Sequence, residues 1–579
     1  MTINAWGTDG REQFALPMRR AIPDDPTSQE YVLQWSIADQ LLKYVPNANN
    51  NPAVGTYTPL ATYPGGTLGA ALKQQGTSLD ALLGSNGASI SYYRSSKAGA
   101  VSRLMQEKFE ETVSVYDYGA KGDWNGTTGT DDTTAFTLAC AALGSRGGTV
   151  KYAGKHLINS ALTIPKNVTL QGSMGLVGSP GNNASAPYQD LAALIVNPAN
   201  TIQLLSGAGH DGGLLYRKGQ VFPTTDAAAF AGTCFTAAGD DTFCTNSMVL
   251  GFNLALFSNG FQRIRAFNNW LDNVNGLDIR ACFDIAHIHD NHAWPFATIA
   301  GGPLGPGYHR AGTAFKFVSG GDWNKCTNNF SYGYSRGTQI VDCNSMTLLS
   351  CSHDNTQVFA GSIAIEILGT SNDTRIIGCQ GAAQATSIHV NTNAGNHTSV
   401  IGCDGWVNSE HGILVSGGDV TVIGGQQRNT PNGLTVTNAV STVKINSWRT
   451  KAISVSPISL TVPTERVTYS DCEFSDLAAG TSPVAGTLAV TAVASAASVL
   501  LPANRELIVV TGTTNIGTIA GGAVKQRLTL RFSAALTMLH STGASGIRLA
   551  GNVNFVVAAG STLSLVFDGT QWYETSRAA

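Results

Sequence analysis

Residues 340–427 repeat one short phrase four times: Leu348-Leu349-Ser350-Cys351, Ile376-Ile377-Gly378-Cys379, Val400-Ile401-Gly402-Cys403 and Val422-Ile423-Gly424-Gly425. A second apolar series accompanies the phrase at Ile340, Ile365, Ile388, Ile413 and Leu434, in steps of 25, 23, 25 and 21 residues. Each repeat therefore holds at least two short strands, and β-branched residues dominate them. No helical period runs through the segment, whereas Asn, Asp, Gly and Ser mark its turns. Repeats of this length and composition predict the coils of a right-handed parallel β-helix.

The composition of the whole chain fits such a solenoid. Of its 579 residues only 13% are charged and 65 are glycine, a balance typical of many tight turns and few exposed helices. The length predicts roughly three to four domains. A formal net charge of −3 gives no reason to expect a nucleic-acid partner. No apolar stretch of about 18 residues predicts membrane insertion, and no secretory signal opens the chain, so we expect a soluble protein made in a cytoplasm.

Ten cysteines are scattered through the chain, several of them inside the repeats. We interpret them as small reduced side chains in a core. Cys234 and Cys244 flank a loop, and they are the one pair for which a disulfide is considered. No CxxC cluster is present, and we expect neither a metal nor another cofactor.

The first hundred residues differ from the repeats. Ser28 to Tyr44 places apolar residues near helical spacing after a possible N-cap, which predicts an amphipathic helix, and Leu68 to Leu83 predicts another. Because so small a region can hardly bury its own core, residues 1–93 are predicted to attach to a partner. Ser95 to Thr112 shows one narrow apolar stripe with charged flanks. Residues 94–112 are therefore predicted to form a helical neck, packed between identical chains or against their own trunk.

A new pattern begins at Val113. It contains VSVYDYGAKGD from Val113, TDDT from Thr130, GGTV from Gly147, LTIP from Leu162 and VTLQG from Val168. A helix is predicted from Thr134 to Leu143, where it would cover the open end of the solenoid and its apolar cross-section. We expect Asp131 and Asp132, directly before this helix, to cap it rather than to form a catalytic pair.

This segment resembles the entry to the pectate-lyase-like β-helix of bacteriophage tailspike proteins. The usual sequence motif in that family is close to D[FY]GAxGDGxTDDTxA followed by GGTVxxPxGxYxI. The present chain lengthens the turn between Asp123 and Thr130, and it carries Ala153 and His156 where Pro and Tyr are usual. Neither departure affects the predicted fold.

Two further segments carry the same resemblance. Trp294-Pro295-Phe296 follows a strand and a polar corner, and is similar to the coil that borders the glycan groove in tailspikes that degrade capsule or O-antigen. From Val499 onward, alternating strands predict an all-β module. Its LTLRF strand and its final Asp568 to Glu574 segment resemble the C-terminal domains of phage tailspikes and fibres.

The resemblance implies a homotrimeric tailspike, assembled in the host cytoplasm and carried on the virion. Its N-terminus would bind a phage tail or baseplate protein. Residues 113–478 would form the β-helix with its glycan groove, and residues 479–579 an antiparallel β-rich domain for trimerisation or sugar binding. The implied activity is the depolymerisation of a bacterial capsular or O-antigen polysaccharide by an endo-acting glycoside hydrolase. Two alternatives stay open, a spike that binds its receptor without catalysis and a polysaccharide lyase.

Aromatic and polar residues gather in the coils after Gly276. Sugars offer apolar faces for stacking and hydroxyl groups for hydrogen bonds, which flat rings and polar side chains can meet. The predicted substrate-binding residues are Asp290, His292, Trp294, Trp323, Tyr332, Tyr334, Arg336 and His353. The alternative is that loops bury these rings.

Hydrolysis of a glycosidic bond needs a proton donor and a second carboxylate. Equivalent corners of neighbouring coils lie about 4.8 Å apart, so carboxylates one or two coils apart have the separations found in glycosidases. Alignment of the corners selects Asp290, Asp322, Asp354 and Asp404. Glu366 alternates with isoleucines along its strand, which places it on the outer face. We predict Glu366 and Asp354 as the acid and base pair, with Asp322 in reserve.

Overall fold

The computed structural model describes residues 92–109, 111–172, 192–220, 229–296, 309–355, 359–461, 466–477, 482, 484–485, 492–501 and 507–578. It also describes the backbone of four short strands at 15–16, 31–36, 41–46 and 58–59. The chain divides into two units, Met1–Glu111 and Thr112–Ala579.

The second unit contains a parallel β-solenoid built from three long sheets, which confirms the predicted trunk. Sheet I contains Thr112–Ser114, Gly148–Tyr152, Val168–Gly172, Gly209–Asp211, Phe243–Thr245, Arg265–Phe267, His287–His289, Lys325–Thr327, Thr347–Leu349, Thr374–Ile377, His397–Ile401, Asp419–Ile423, Val443–Asn446 and Val467–Ser470. Sheet II contains Lys155–Ile158, Ala193–Val196, Leu214–Arg217, Met248–Leu250, Trp270–Asp272, His292–Ala293, Phe330–Tyr332, Ser352–Asp354, Gln380–Ala382, Asp404–Trp406, Gln426–Arg428, Arg449–Lys451 and Glu473–Ser475. Sheet III contains Leu162–Ile164, Ile202–Leu204, Thr233–Ala237, Leu254–Asn259, Asn275–Arg280, Arg310–Val318, Tyr334–Val341, Ile363–Gly369, Thr386–Thr392, His411–Val415, Asn432–Val436, Ser456–Leu460 and Val484–Ala485.

Each full coil passes through sheets I, II and III in that order. The coils continue between Gly172 and Gly260, where the repeat is hard to recognise in the sequence. Inward-facing Val, Ile, Leu, Phe and Cys side chains of all three sheets form one continuous core. Because every strand bonds to the equivalent strands of the coils above and below, residues about one repeat apart in sequence become direct neighbours.

The register supports the predicted repeat with one correction. Leu348, Ile376, Val400 and Val422 lie side by side in sheet I, as the first series predicts. In sheet III, Ile365, Ile388, Ile413 and Leu434 are also aligned. Ile340, however, pairs with Ile367, and Thr338 occupies the position beside Ile365. The longer corner before Ile363 explains this shift of two residues, because it preserves the inward orientation.

The corner between sheets I and II explains the repeated phrase. Its third position has a left-handed backbone in successive coils, at Asp290, Asn328, Ser350, Gly378 and Gly402. Each of these residues donates its N–H to a carbonyl of the next coil, as Asn328 does to Leu349 over 2.8 Å. Gly, Asn and Asp adopt this backbone most readily, which is why they recur there.

The next position of the phrase points into the core. Asn269, Asn291 and Asn329 form a buried amide stack, each joined to the next by a side-chain hydrogen bond of 2.9 Å. Later coils replace Asn with Cys351, Cys379 and Cys403, all of which are buried. All ten cysteines are free, so Cys234 and Cys244 do not form a disulfide.

A helix at Thr133–Ala142 packs over the first coil, which confirms the predicted cap. The prediction that both preceding aspartates cap this helix is correct only for Asp131, since the side chain of the N-cap residue Asp132 makes no hydrogen bond to the helix. Asp131 accepts hydrogen bonds from the backbone and hydroxyl of Thr133. Asp132 accepts the N–H groups of Lys121 and Gly122 and pairs with buried His156 over 2.8 Å. These contacts bind the cap to the first coil.

In the first unit, the helix predicted from Ser28 to Tyr44 is wrong. The segment forms two antiparallel strands, Tyr31–Ser36 and Leu41–Pro46, in a four-stranded sheet with Ala15–Leu16 and Thr58–Pro59. The apolar residues that fit helical spacing also occur in two short runs rich in Val, Leu and aromatics, which favour strands. The helix predicted from Leu68 to Leu83 lies outside the described residues.

The predicted neck helix is also largely wrong. The helix within Ser95 to Thr112 is the five-residue Met105–Phe109, preceded by an antiparallel pairing of Tyr92–Tyr93 with Arg103–Leu104. Gly99 has a φ of 82°, which interrupts a helix at that point. No helix among the described residues is long and apolar enough to cross a membrane.

The C-terminal part is all-β, as predicted, but its main sheet is mixed rather than antiparallel. The order of this six-stranded sheet is Ala492–Ala494, Leu507–Thr511, Arg527–Phe532, Thr562–Phe567, Trp572–Ala578 and Ile547–Arg548. Its first three strands are parallel, and hairpin-like antiparallel pairing begins at Arg527–Phe532. A separate apolar core around buried Trp572 holds this part together.

The amide stack yields a stability prediction. Asn291→Ala removes the hydrogen-bond donor to the Ala266 carbonyl and the acceptor for the Asn269 side-chain amide. The Ala266 carbonyl and the Asn269 amide both stay buried. We expect the free energy of unfolding to fall by about 1–3 kcal/mol for each group left without a partner. Urea unfolding followed by fluorescence measures the change. Exposed Asn391→Ala is the matched control, and equal stabilities of the two variants would contradict the role of the stack.

Candidate functional site

The outer face of sheet II carries a line of side chains along the solenoid axis. Tyr332 lies beside Asp354, Ala382 beside Trp406, and Trp406 beside Arg428. The pairing of Ser352 with Gln380 brings Asp354 into line with Ala382. We call these five residues the sheet II column. Tyr332, Asp354 and Trp406 are half-buried, and the Arg428 guanidinium lies 5.1 Å from the ring centre of Trp406.

Asp354 is the second residue of this column, between Tyr332 and Ala382. Burial raises the pKa of Asp354, and a hydrogen bond of 2.8 Å from the Asn355 N–H opposes the shift only in part. A carboxyl group with a raised pKa can hold a proton until a reaction requires it. The position therefore suits a general acid.

Aromatic rings extend the face beyond Tyr332. The Trp294 ring meets the Tyr332 ring edge to face with centroids 6.2 Å apart, and it stacks on His292 at 5.2 Å. Phe330 meets the His292 ring edge to face, with centroids 4.6 Å apart. Burial lowers the pKa of His292 to about 4, so this imidazole is neutral near pH 7. Trp294 is half-buried, and the group forms a continuous aromatic surface next to the sheet II column.

The outer face of sheet III carries a second, ionic row. Its members are Asp278, Lys316, Gln339, Glu366 and His389, one from each of five successive coils. The predicted outward orientation of Glu366 agrees with this register. The side chain is nevertheless only 7% exposed, because its neighbours enclose it.

Glu366 is held by three side chains. Arg336 Nε lies 3.0 Å from Oε2, Gln339 Nε2 donates to the same oxygen over 2.6 Å, and His389 Nδ1 lies 3.5 Å from Oε1. Burial alone would raise the pKa of Glu366, but these hydrogen bonds and the Arg336 charge lower it to about 2. Glu366 is therefore a carboxylate at any physiological pH. Within the predicted acid and base pair, Asp354 is therefore suited to be the general acid. Glu366 is suited only to the role that needs an ionised carboxylate.

Asp322 and Trp323 lie in the turn from sheet III to sheet I. Trp323 is 66% exposed, the largest exposed fraction among the predicted aromatic ligands. Both residues have positive φ angles, 50° and 70°, which are unfavourable for an indole-bearing residue. The described contacts do not join Asp322 to Asp354 or to Glu366, and no catalytic grouping of the three is visible.

Two of the predicted ligands lie inside the solenoid. Tyr334 is 1% exposed and donates its hydroxyl to the carbonyl of Asn273. His353 is 1% exposed between the hydroxyls of Ser331 and Thr338, and burial lowers its pKa to about 4. The prediction that Tyr334 and His353 are exposed is wrong. Side chains alternate between the two faces of a strand, and at both positions the strand and its corner direct the side chain inward. A bound glycan on the outer face cannot reach them.

Asp290 occupies the left-handed corner between sheets I and II. Its carboxylate pairs with His289 over 2.7 Å and accepts a hydrogen bond of 2.6 Å from Asn328. These bonds lower its pKa. The side chain is exposed enough to bind a ligand, but its contacts already explain its presence at this corner.

Three residues of these faces escaped the sequence analysis. Trp406 and Arg428 belong to the sheet II column, and His389 belongs to the ionic row. The repeat itself carries the signal for Trp406, because Asp404 aligns with the corner and the residue two positions later faces the same way. Among the described residues, no group of three His, Cys, Asp or Glu side chains is placed to hold a metal ion.

No protein-family profile and no curated protein matches the chain. Similar solved structures include the catalytic unit of a GH87 alpha-1,3-glucanase from Streptomyces thermodiastaticus strain HF3-3, at 15% identity, with 65% of this chain and 69% of that chain covered and a TM-score of 0.37. An exopolygalacturonase from Thermotoga maritima is 10% identical, with 63% and 91% covered and a TM-score of 0.41. DFA-IIIase from Arthrobacter chlorophenolicus A6 in complex with GF2 is 10% identical, with 58% and 94% covered and a TM-score of 0.41. At these values nothing about the activity of the present chain follows from these structures.

The low pKa of Glu366 predicts a pH-dependent contribution to stability. Its pKa is about 2 in the folded chain and 4.5 in an ordinary setting, so the ionised group stabilises the fold above pH 4.5. This stabilisation, at most about 3 kcal/mol, is lost as the pH falls toward 2. We expect the difference in unfolding free energy between wild type and Glu366→Gln to shrink between pH 6 and pH 3. Urea titrations at several pH values measure it.

The exposed carboxylate of Glu410 provides the control. Glu410→Gln removes a carboxylate on the surface and is measured at the same pH values. A wild-type advantage over Glu366→Gln that stays constant across this pH range would contradict the assigned ionisation of Glu366.

Proposed function

We propose that this chain is a phage tailspike that binds and depolymerises a bacterial surface polysaccharide, either capsule or O-antigen. The observation that carries the proposal is the sheet II column, in which a half-buried Asp354 with a raised pKa lies between the rings of Tyr332 and Trp406. The resemblance of residues 113–172 to tailspike proteins supports the same assignment.

The spacing of the column fits a linear glycan. Coils repeat about every 4.8 Å, so Tyr332 and Trp406 stand roughly 14 Å apart along the axis, with Asp354 between them. Sugar rings placed along this line would stack on Tyr332 at one side and on Trp406 at the other. Ala382, which has the shortest side chain in the column, lies between Asp354 and Trp406 and is buried.

In the proposed reaction, Asp354 donates its proton to the glycosidic oxygen as the bond between that oxygen and the anomeric carbon breaks. A second carboxylate then assists attack on the anomeric carbon, either by removing a proton from water or by bonding to the carbon directly. Glu366 and Asp322 are the two candidates for this role in the chain. Glu366 has the required ionised form, and Asp322 has the greater exposure.

We assign the remaining parts of the chain by the same proposal. The N-terminal unit would bind a phage tail or baseplate protein, and three copies of the chain would assemble into the spike. The C-terminal β-rich part would close the solenoid and join the three copies.

Replacement of Asp354 tests the proposed chemistry. Asp354→Asn keeps the shape of the side chain but removes its proton donor, and we expect glycan cleavage to fall about 10²–10⁴-fold while binding persists. Purified host polysaccharide is incubated with each protein, and chain length is followed by size-exclusion chromatography. Exposed Asp373→Asn is the matched control, since Asp373 bonds to Arg375 next to sheet I.

The outcomes separate the alternatives. A host glycan that binds wild type but is never shortened would contradict the enzyme and leave a receptor-binding spike. Ultraviolet absorbance from unsaturated uronate products would identify a lyase instead of a hydrolase. Loss of cleavage in either Glu366→Gln or Asp322→Asn, with retained fold, identifies the second carboxylate.

The proposed assembly predicts the molar mass in solution. Light scattering of the full chain should give about three times the 60.4 kDa of one copy. Helical bundling of residues 94–112 has no support in the described strands and five-residue helix, so we expect the trunk and C-terminal part to hold the trimer. A particle with the mass of one copy, across a range of protein concentrations, would contradict the trimer.

A further inference from the structure

Ser416, His389 and Glu366 lie in series on the outer side of sheet III, with a hydrogen bond between Ser416 and His389 and a longer contact between His389 and Glu366. Ser416 follows the strand His411–Val415 directly, and its hydroxyl lies 2.6 Å from Nε2 of His389. On the other side of the ring, Nδ1 of His389 faces Oε1 of Glu366 at 3.5 Å. Glu366 and His389 are direct neighbours on adjacent strands. The order of groups is hydroxyl, imidazole and carboxylate.

The chemistry of these groups defines the protonation of the imidazole. An ionised carboxylate only accepts hydrogen bonds, so the Nδ1 that faces Glu366 carries the proton. Nε2 is then free to accept the proton of the Ser416 hydroxyl. Arg336 and Gln339 fix the carboxylate by bonding its other oxygen. The distance of 3.5 Å is long, as such contacts often are before a substrate binds.

Ser416 is accessible and is followed by two glycines. The serine is partly exposed, and the His389 side chain is 15% exposed. Among the described hydrogen bonds, none uses the N–H of Gly417 or Gly418. Gly418 has a φ of 78°, and a Cβ at this position would strike the hydroxyl of Thr392. Both glycines are buried against Thr392, so the backbone after Ser416 is closely packed.

We propose that Ser416, His389 and Glu366 form a second active site, which hydrolyses short-chain acyl esters. Ser416 Oγ bonds to the acyl carbon while its proton passes to His389 Nε2, and the carbonyl oxygen takes the negative charge of a tetrahedral intermediate. The ester C–O bond then breaks, and the leaving alcohol takes the proton from His389. Water attacks the acyl-serine in the same way, which releases the acid and restores Ser416.

The surroundings indicate the class of substrate. The side chains next to the series include exposed, polar Asn391 and half-buried Leu414, a small and mixed surface. Such a surface accepts an acetyl group better than a long acyl chain. If the chain acts on a surface glycan as proposed above, the substrate is an O-acetyl ester on a sugar hydroxyl. This last step alone depends on the proposed function.

Within the described residues, two other histidines bond to a hydroxyl but, unlike His389, have no carboxylate at their second nitrogen. His397 bonds to the hydroxyl of Thr421 at 3.0 Å, and His411 bonds to that of Thr435 at 2.9 Å. In the described contacts, neither imidazole meets a carboxylate through its other nitrogen. These pairs lack the group that would orient the ring and stabilise it as imidazolium. Thr421→Ala is therefore a matched control, because it removes a hydroxyl bonded to histidine outside the proposed series.

The test uses the full-length protein with a fluorophosphonate probe and with p-nitrophenyl acetate. We expect the probe to label wild type once, on the peptide that contains Ser416. Ser416→Ala and His389→Gln should lose the label, and their ester hydrolysis should fall at least about 10²-fold. Glu366→Gln should lower the hydrolysis rate while keeping some labelling, since Ser416 and His389 remain. Thr421→Ala should behave as wild type.

A folded wild-type protein that is not labelled at Ser416 would overturn the proposal, as would equal ester hydrolysis in wild type and Ser416→Ala. Circular dichroism confirms that each variant is folded. The rate of glycan shortening provides an independent readout, and Ser416→Ala should leave it unchanged. A protein that cleaves p-nitrophenyl acetate through Ser416 but never shortens a glycan would retain the ester site and refute the depolymerase.

Discussion

The structure depends on the parallel hydrogen-bond ladder between successive coils. Each coil is joined laterally to its two neighbours, and the left-handed corner residues extend the bonding around the turn, as Gly378 does to Ile401. Residues more than twenty positions apart thereby become neighbours about 4.8 Å apart. The ladder also constrains composition, since only residues that tolerate the corner backbone or the inner stack can occupy those positions in every coil. Chemistry on the surface is arranged by the same spacing.

The ladder has opposite consequences inside and outside the solenoid. Inside, the side chains at equivalent positions of neighbouring coils must fit together. The amides of Asn291 and Asn329 do so by a hydrogen bond to each other, and the thiols of Cys379 and Cys403 do so because they are small. Outside, the same alignment brings charges into contact, and Glu366 is bonded by residues of the coils on either side of it. A carboxylate in such a row is stabilised as an anion. At Asp354, burial raises the pKa, and the hydrogen bond from the Asn355 N–H opposes this shift only in part.

The sequence predicts regular features well because the ladder repeats them. The strand series, the glycine corner and the capping helix follow from short-range pattern, and each is present in the structure. The prediction was wrong where a corner of variable length intervenes, as at Tyr334, which turns inward after Gly333 with a φ of 78°. It was also wrong at Ser28 to Tyr44, where the same apolar residues fit both a helix and two strands. Contacts between coils, such as His389 with Glu366, need the register and not only the repeat length.

The two carboxyl groups of the predicted acid and base pair, Asp354 and Glu366, lie in different surroundings. Asp354 lies among aromatic rings on sheet II, with a raised pKa that suits proton donation. Glu366 lies between Arg336 and His389 on sheet III, with a pKa of about 2 that suits permanent negative charge. Two carboxyl groups whose environments shift their pKa values in opposite directions are suited to different chemical roles. In the two reactions that we propose, Asp354 would donate a proton to a glycosidic oxygen and Glu366 would orient the imidazole that activates a serine.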